Sequence, residues 1–144
     1  MGLEDYVIST DKSLLDIQLI HTFLSESSYW AKGRSYDVVK KSIEQSLCFG
    51  VYLSVQQQTL QQIGFARIVT DYTTFAWLCD VFIIDLHRGK GLGRWLLECV
   101  ISYPDLQGLQ RFVLATRDAH ELYKQFGFEN LTNPNWWMAL HNAS

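Results

Sequence analysis

The chain has 144 residues, 48% of them hydrophobic and 19% charged, with a net charge of −3. That composition belongs to one folded domain, residues 1–144, able to bury about two-thirds of its unfolded surface, and it excludes a disordered chain. The acidic balance excludes the basic stripe of a nucleic-acid binder.

No apolar run nears the roughly 18 residues of a membrane span, and the acidic amino-terminal stretch has no signal-peptide core. Membrane and nucleic acid are therefore not expected partners. Cys48, Cys79 and Cys99 are odd in number and lie in apolar contexts. They read as buried free thiols of a reducing compartment, so a cytoplasmic location is expected.

Residues 3–8 read as a short strand. Ser13 then stands where a helix N-cap belongs, ahead of Leu14, Ile17, Ile20 and Leu24 at helical spacing. The stretch SESSYWAKGRS, around Tyr29 and Trp30, breaks that pattern and reads as a loop, and a second helix spans about Asp37 to Ser46. Three strand-like runs follow, at 48–55, 62–69 and 75–85, joined by the short links QQQTLQ and TDYTT. Short links favour hairpins, so an antiparallel meander is expected.

The third run, FAWLCDVFIID, is apolar nearly throughout, as a strand covered on both faces requires. Leu92, Trp95, Leu96, Cys99, Val100 and Tyr103 then form a helical stripe stopped by Pro104. RFVLAT, at 111–116, reads as a strand. DAHELYKQFGF reads as a helix with Asp118 as its cap and Gly127 past its last turn. NPNWWMAL reads as a turn and a final strand. The expected fold is α/β of the α+β type: a mixed, mostly antiparallel central sheet flanked by about four helices.

The concentrated chemistry lies in DLHRGKGLGRWLLECV. Gly89, Gly91 and Gly93 alternate with Arg88, Lys90 and Arg94 where a strand turns into a helix. Such a turn offers unpaired backbone N–H groups and the positive end of a helix dipole, and glycine lets a ligand approach them closely. Phosphate is the natural occupant. A Rossmann fingerprint fails on spacing, because the position needing its third glycine holds Arg94, and no Walker loop is present. The remaining alternative is a strand–helix turn with no ligand.

Arg88-Gly89-Lys90-Gly91-Leu92-Gly93 matches the R/Q-x-x-G-x-G/A signature of the GNAT superfamily of acetyl-CoA-dependent acyltransferases. A second family pattern, A-x-x-x-Y-x-x-x-G-F, stands as Ala119, Tyr123, Gly127 and Phe128. The chain resembles that family along nearly its whole length.

The resemblance implies acetyl-CoA as co-substrate and no metal. Its pyrophosphate would rest on the backbone from Gly89 to Arg94, with Arg88, Lys90 and Arg94 adding charge. The pantetheine arm would lie along Val81, Phe82 and Ile83, near Thr116. Thr116 departs from the asparagine found there in many members.

The implied reaction is direct attack of a primary amine, on a small molecule or a peptide, through a ternary complex. Tyr123 is then the expected proton donor to the departing thiolate, although its helical stripe also suits plain core. Asp80, the carboxylate within the apolar strand, could be the base or equally a structural hydrogen-bond acceptor; His21 and Glu26 are its rivals. Tyr29 and Trp30 could wall the acceptor pocket or plug the sheet. A catalytically silent acyl-CoA-binding sensor is the alternative function, and either a monomer or a homodimer is compatible.

Overall fold

A computed structural model of the chain describes residues 3–56 and 59–142, so Gln57 and Gln58 of the first hairpin link lie outside the described residues. Five strands form one sheet: β1 (Tyr6–Ser9), β2 (Leu47–Val55), β3 (Thr59–Thr70), β4 (Phe75–Ile83) and β5 (Arg111–Leu114), side by side in chain order. β1 to β4 run antiparallel, and β5 runs parallel to β4. Four α-helices join them: α1 (Ile17–Thr22), α2 (Tyr36–Glu44), α3 (Leu92–Ser102) and α4 (His120–Lys124). The expected mixed, mostly antiparallel sheet with four helices is what forms.

A helix covers each face. On one side Leu92, Leu96, Leu97 and Val100 of α3 are buried against sheet residues such as Phe49, Ile63 and Ile68. On the other side Ile20 and Leu24 meet Val39 and Ile43 of α2, above Phe65 and Phe82. Burial of each such side chain contributes about 1.5–3 kcal/mol, so both helices are held by packing more than by propensity. The α3 stripe is as the sequence predicts, with Leu97 added.

Local polar chemistry moves several expected boundaries. Lys12–Leu14 form a short 3₁₀ turn capped by Asp11, and Ser13 lies inside it. The helix proper begins at Ile17, where Asp16 accepts from the Leu19 N–H at 3.0 Å. Aspartate wins here because its ionised oxygen is the stronger acceptor for first-turn donors. α1 then widens into a π turn, Phe23–Ser27, that leads into the aromatic loop.

Ahead of α4, the Thr116 hydroxyl rather than Asp118 accepts from the Ala119 N–H, at 3.1 Å. Leu3–Asp5 form a 3₁₀ turn, so the first strand starts only at Tyr6. The expected last strand does not form. Pro134–Trp136 make a 3₁₀ turn, no ladder follows among the described residues, and the sheet ends at β5.

Two features of β4 prepare a site. The register runs from Phe65↔Phe82 to Arg67↔Cys79, so Asp80 and Val81 together face Ala66. This is a bulge, and Asp80 takes φ 52°, a left-handed conformation that aspartate tolerates better than most residues. The pairing of β4 with β5 ends at Leu78↔Leu114, while β4 continues to Ile83. Past that point the two strands separate.

Candidate active site

The parted strands open a cleft of about 480 Å³. Cys79, Asp80 and Val81 line one wall, Ala115 and Thr116 the other, and Tyr29, Trp30 and Tyr123 also face it. Beyond its β4 end lies the glycine turn. Gly89 and Gly91 hold φ 80° and 84°, which a side chain would strain. Gly91 is the N-cap of α3, and the first ladder bond runs from the Trp95 N–H to the Gly91 carbonyl at 3.0 Å. The N–H groups of Leu92, Gly93 and Arg94 precede that bond and point out of the helix end.

Gly93 is the most informative of the three glycines. Its φ is not in the left-handed region, and a Cβ built on it would meet nothing within 4 Å. Neither backbone strain nor internal crowding accounts for a bare backbone at the second helical position. The space over its backbone leaves room for an anion beside the outward N–H groups. The turn therefore fits a pyrophosphate, on the grounds of its own geometry.

The three cations are not equivalent. Arg88 turns back on its own segment: Nε donates to the Ile83 carbonyl at 2.8 Å, and Nη1 pairs with Asp85 at 2.6 Å. It stiffens the end of β4 more than it reaches outward. Arg94 donates to Gln125 Oε1 and lies over the Phe126 ring at 5.1 Å, tying α3 to the residues just past α4. Lys90 is exposed at the tip of the turn. His87, buried just before the turn, is held by the Tyr6 hydroxyl at 2.8 Å.

Along the strand, Phe82 turns toward the π turn after α1, stacking on Phe23 at 3.9 Å, while Val81 and Ile83 pack on the α3 side. The Thr116 hydroxyl oxygen accepts the N–H that caps the turn into α4, which leaves its O–H free to donate. Tyr123 is held edge-on to Phe128, with ring centroids 5.9 Å apart. Burial, and then the neighbouring Tyr29, push its phenol above the ordinary value of about 10. Tyr29 and Trp30 meet edge to face at 5.1 Å, Arg117 lies 3.8 Å over the Tyr29 ring, and the Arg117 N–H donates to the Tyr29 hydroxyl.

Asp80 is buried and fully engaged. Its Oδ2 accepts from Arg34 Nη1 and Arg67 Nε, both at 2.8 Å, and its Oδ1 from Trp30 Nε1 at 2.9 Å. Of the two readings the sequence leaves open, this geometry suits the structural acceptor, because both carboxylate oxygens are already taken by donors. Neither rival lines the cleft: His21 Nε2 lies 3.0 Å from the Arg34 carbonyl, and Glu26 is exposed on the π turn. Sequence reasoning missed Arg34 and Arg67. For Arg67 a signal existed, since it is the lone charge in GFARIV, facing the strand that holds the lone Asp80.

The family model described as an acetyltransferase (GNAT) domain matches residues 48–130, the span from β2 through the glycine turn to α4. The chain belongs to the GNAT acetyltransferase family. A Gibberella zeae protein named for acetyltransferase activity, FG08082, is 33% identical, with the match spanning 88% of this chain and 80% of that one. A crystal structure assigned to the GNAT family, from Xanthomonas campestris pv. campestris, is 45% identical, with 95% and 93% of the two chains covered and a TM-score of 0.88. Rv2747 from Mycobacterium tuberculosis, solved in complex with CoA, shares the fold at 12% identity and a TM-score of 0.67, over 87% of this chain and 72% of its own. Among the described residues of this GNAT chain, no helix is long and apolar enough to cross a membrane, and no cluster of His, Cys, Asp and Glu has the makings of a metal site.

Proposed function

We propose that this GNAT protein is an N-acetyltransferase that moves the acetyl group of acetyl-CoA to a primary amine of a small molecule or peptide within a ternary complex. The observation that carries the reading is a continuous path. A turn with outward N–H groups and an uncrowded Gly93 follows the end of β4, whose unpaired edge borders the cleft that the half-buried Tyr123 lines. Acetyl-CoA supplies the activated thioester carbonyl. The residues of the chain supply the rest.

Backbone N–H groups of Leu92, Gly93 and Arg94 hold the pyrophosphate, with Lys90 adding charge at the tip. The edge of β4 from Val81 to Ile83 aligns the pantetheine arm, and the end of the β4–β5 pairing at Leu78↔Leu114 leaves backbone donors on that edge near Phe82 for the developing oxyanion. The amine gives up its proton to water at the open mouth, because Asp80 is engaged. Tyr123 protonates the leaving sulfur.

A free thiol titrates at about 8.5, and burial holds the Tyr123 phenol above its ordinary value of about 10. The transfer is therefore driven by collapse of the tetrahedral intermediate, which breaks the C–S bond as the proton moves to sulfur.

Calorimetric titration with acetyl-CoA, together with thiol release against a panel of amines, tests the reading. Binding with release for one class of amine is expected. Absence of binding at millimolar acetyl-CoA refutes it. The engagement of Asp80 keeps one alternative alive, a silent acyl-CoA sensor, for which binding without turnover on a broad panel is the signature.

A further inference from the structure

The Asp80 cluster joins parts of the chain that are far apart in sequence. Trp30 and Arg34 belong to the loop between α1 and α2, Arg67 to β3, and Asp80 to the bulge of β4. Arg67 also donates from Nη1 to Ser46 Oγ, at 3.1 Å, at the entry to β2. The Asp80 side chain is 1% exposed and that of Arg67 9% exposed, so the bonds form away from bulk water. Donors from two guanidinium groups and one indole N–H satisfy the carboxylate there.

The loop has further internal order. Ser28, buried, bonds back to the Leu24 carbonyl and accepts from the Ala31 N–H, and Ala31 is itself in the core. The flank after Lys32 is fastened by the Gly33 N–H to the Ser25 carbonyl and by Arg34 to Asp80. Through Trp30 and Arg34 the aromatic wall of the cleft is tied to the sheet by one carboxylate. That carboxylate sits on the residue that makes the bulge in the strand.

We propose that Asp80 is a positioning residue: it locks the Tyr29–Trp30 loop to the bulge of β4, setting the acceptor wall at a fixed distance from the edge where the thioester lies, and it carries no proton in the reaction. The proposal rests on the acetyl-CoA reading for its functional meaning, although the locking itself does not. It explains why a lone charge is kept inside a strand that is otherwise apolar, and why Arg67 faces it from β3. Moving either end of the lock would change the distance between acceptor and thioester while leaving the glycine turn alone.

Two variants test it. Asp80→Asn removes the charge and keeps the shape; Trp30→Phe removes the indole N–H and keeps a flat wall, and it serves if the first fails to fold. Trypsin reads the loop directly, because Lys32 is exposed between the two anchors. Cleavage after Lys32 is expected to quicken at least tenfold in both variants, with acetyl-CoA affinity by calorimetry within about threefold of wild type.

With the amine that gives the fastest thiol release in the panel, KM for that amine is expected to rise about tenfold and kcat to fall less than fivefold. Unchanged cleavage in both variants overturns the lock. A fall in kcat of a hundredfold or more at unchanged amine KM makes Asp80 the base and overturns the assignment. Failure of wild-type protein to bind acetyl-CoA would instead strike the proposed function, leaving the proteolysis result to stand or fall by itself.

Discussion

Replacing Gly93 by alanine separates the needs of the fold from the needs of a ligand. Gly93 occupies the second position of α3 with ordinary backbone angles, and its new Cβ has no neighbour within 4 Å. Folding therefore gains: alanine is favoured over glycine in a helix by roughly 0.5–1 kcal/mol, mostly through the unfolded chain, and nothing in the structure opposes that. Binding loses. The methyl group enters the space in which an anion would meet the N–H groups of Leu92, Gly93 and Arg94.

Displacing one charge-assisted hydrogen bond costs about 1.5–3 kcal/mol, or roughly 10- to 150-fold in affinity. The expected result is a urea midpoint at or above wild type together with an acetyl-CoA Kd raised at least tenfold, read by calorimetry on the same preparation. A stable variant with unchanged Kd would refute the assignment of the turn as the pyrophosphate cradle.

Three other outcomes follow from the same geometry. Tyr123→Phe keeps the ring against Phe128 and removes only the hydroxyl, so kcat should fall 10²–10⁴-fold at nearly unchanged stability, and wild type should show no Tyr123 limb below pH 10, since burial raises that phenol; a loss under fivefold excludes Tyr123 as the acid. Gly50→Ala should destabilise by about 1–3 kcal/mol or more in urea, because its Cβ would stand 2.2 Å from the hydroxyl of the buried Tyr52, and adding Tyr52→Leu should recover most of that loss.

Alkaline stability should fall between about pH 9 and 12. Burial pushes Cys48 up to about 11 and Tyr52 up to about 12, so the unfolded chain loses those protons first; stability is whole below pH 9 and drops by about 3 kcal/mol for each group once its folded value is reached. A flat urea midpoint from pH 8 to 11 would contradict this, and Cys48→Ala should lessen the early decline, leaving the part that Cys79, pushed up to about 12 by burial, contributes over the same range.

The sheet, the α3 stripe and the glycine turn were legible because each is written at short range. An apolar period of two or of 3.6 residues reports which face is buried, wherever that face ends up. The boundaries were less legible where several acceptors compete. Asp11, Ser13 and Asp16 all precede the first helix, and only the fold shows that Asp16 faces the Leu19 N–H, with its own N–H taken by Gln62 from β3 at 2.6 Å. The final strand failed for a related reason. NPNWWMAL has the residues of a strand, but a strand exists only with a ladder partner, and β5 offers just four residues. Trp137 is instead held under Arg111 at 5.2 Å, while Trp136 and Met138 are left exposed.

The role of Asp80 shows where one-dimensional reading stops. Its neighbours in sequence are apolar, which suggests a desolvated carboxylate with a raised pKa and hence a base. Its neighbours in space are Trp30, Arg34 and Arg67, separated from it by 50, 46 and 13 residues. Two guanidinium groups and an indole N–H occupy both of its oxygens, which is the geometry of an anchor. What a buried charge does depends on its partners more than on its burial. Only the one partner that lies across a hairpin, Arg67, was within reach of the sequence. The two in the loop depend on how the π turn after α1 aims the chain, a geometry that no residue pattern in SESSYWAKGRS announces. The Tyr29–Trp30 wall of the cleft is thus the part least readable from sequence, because it belongs to a loop tied to the strand it faces.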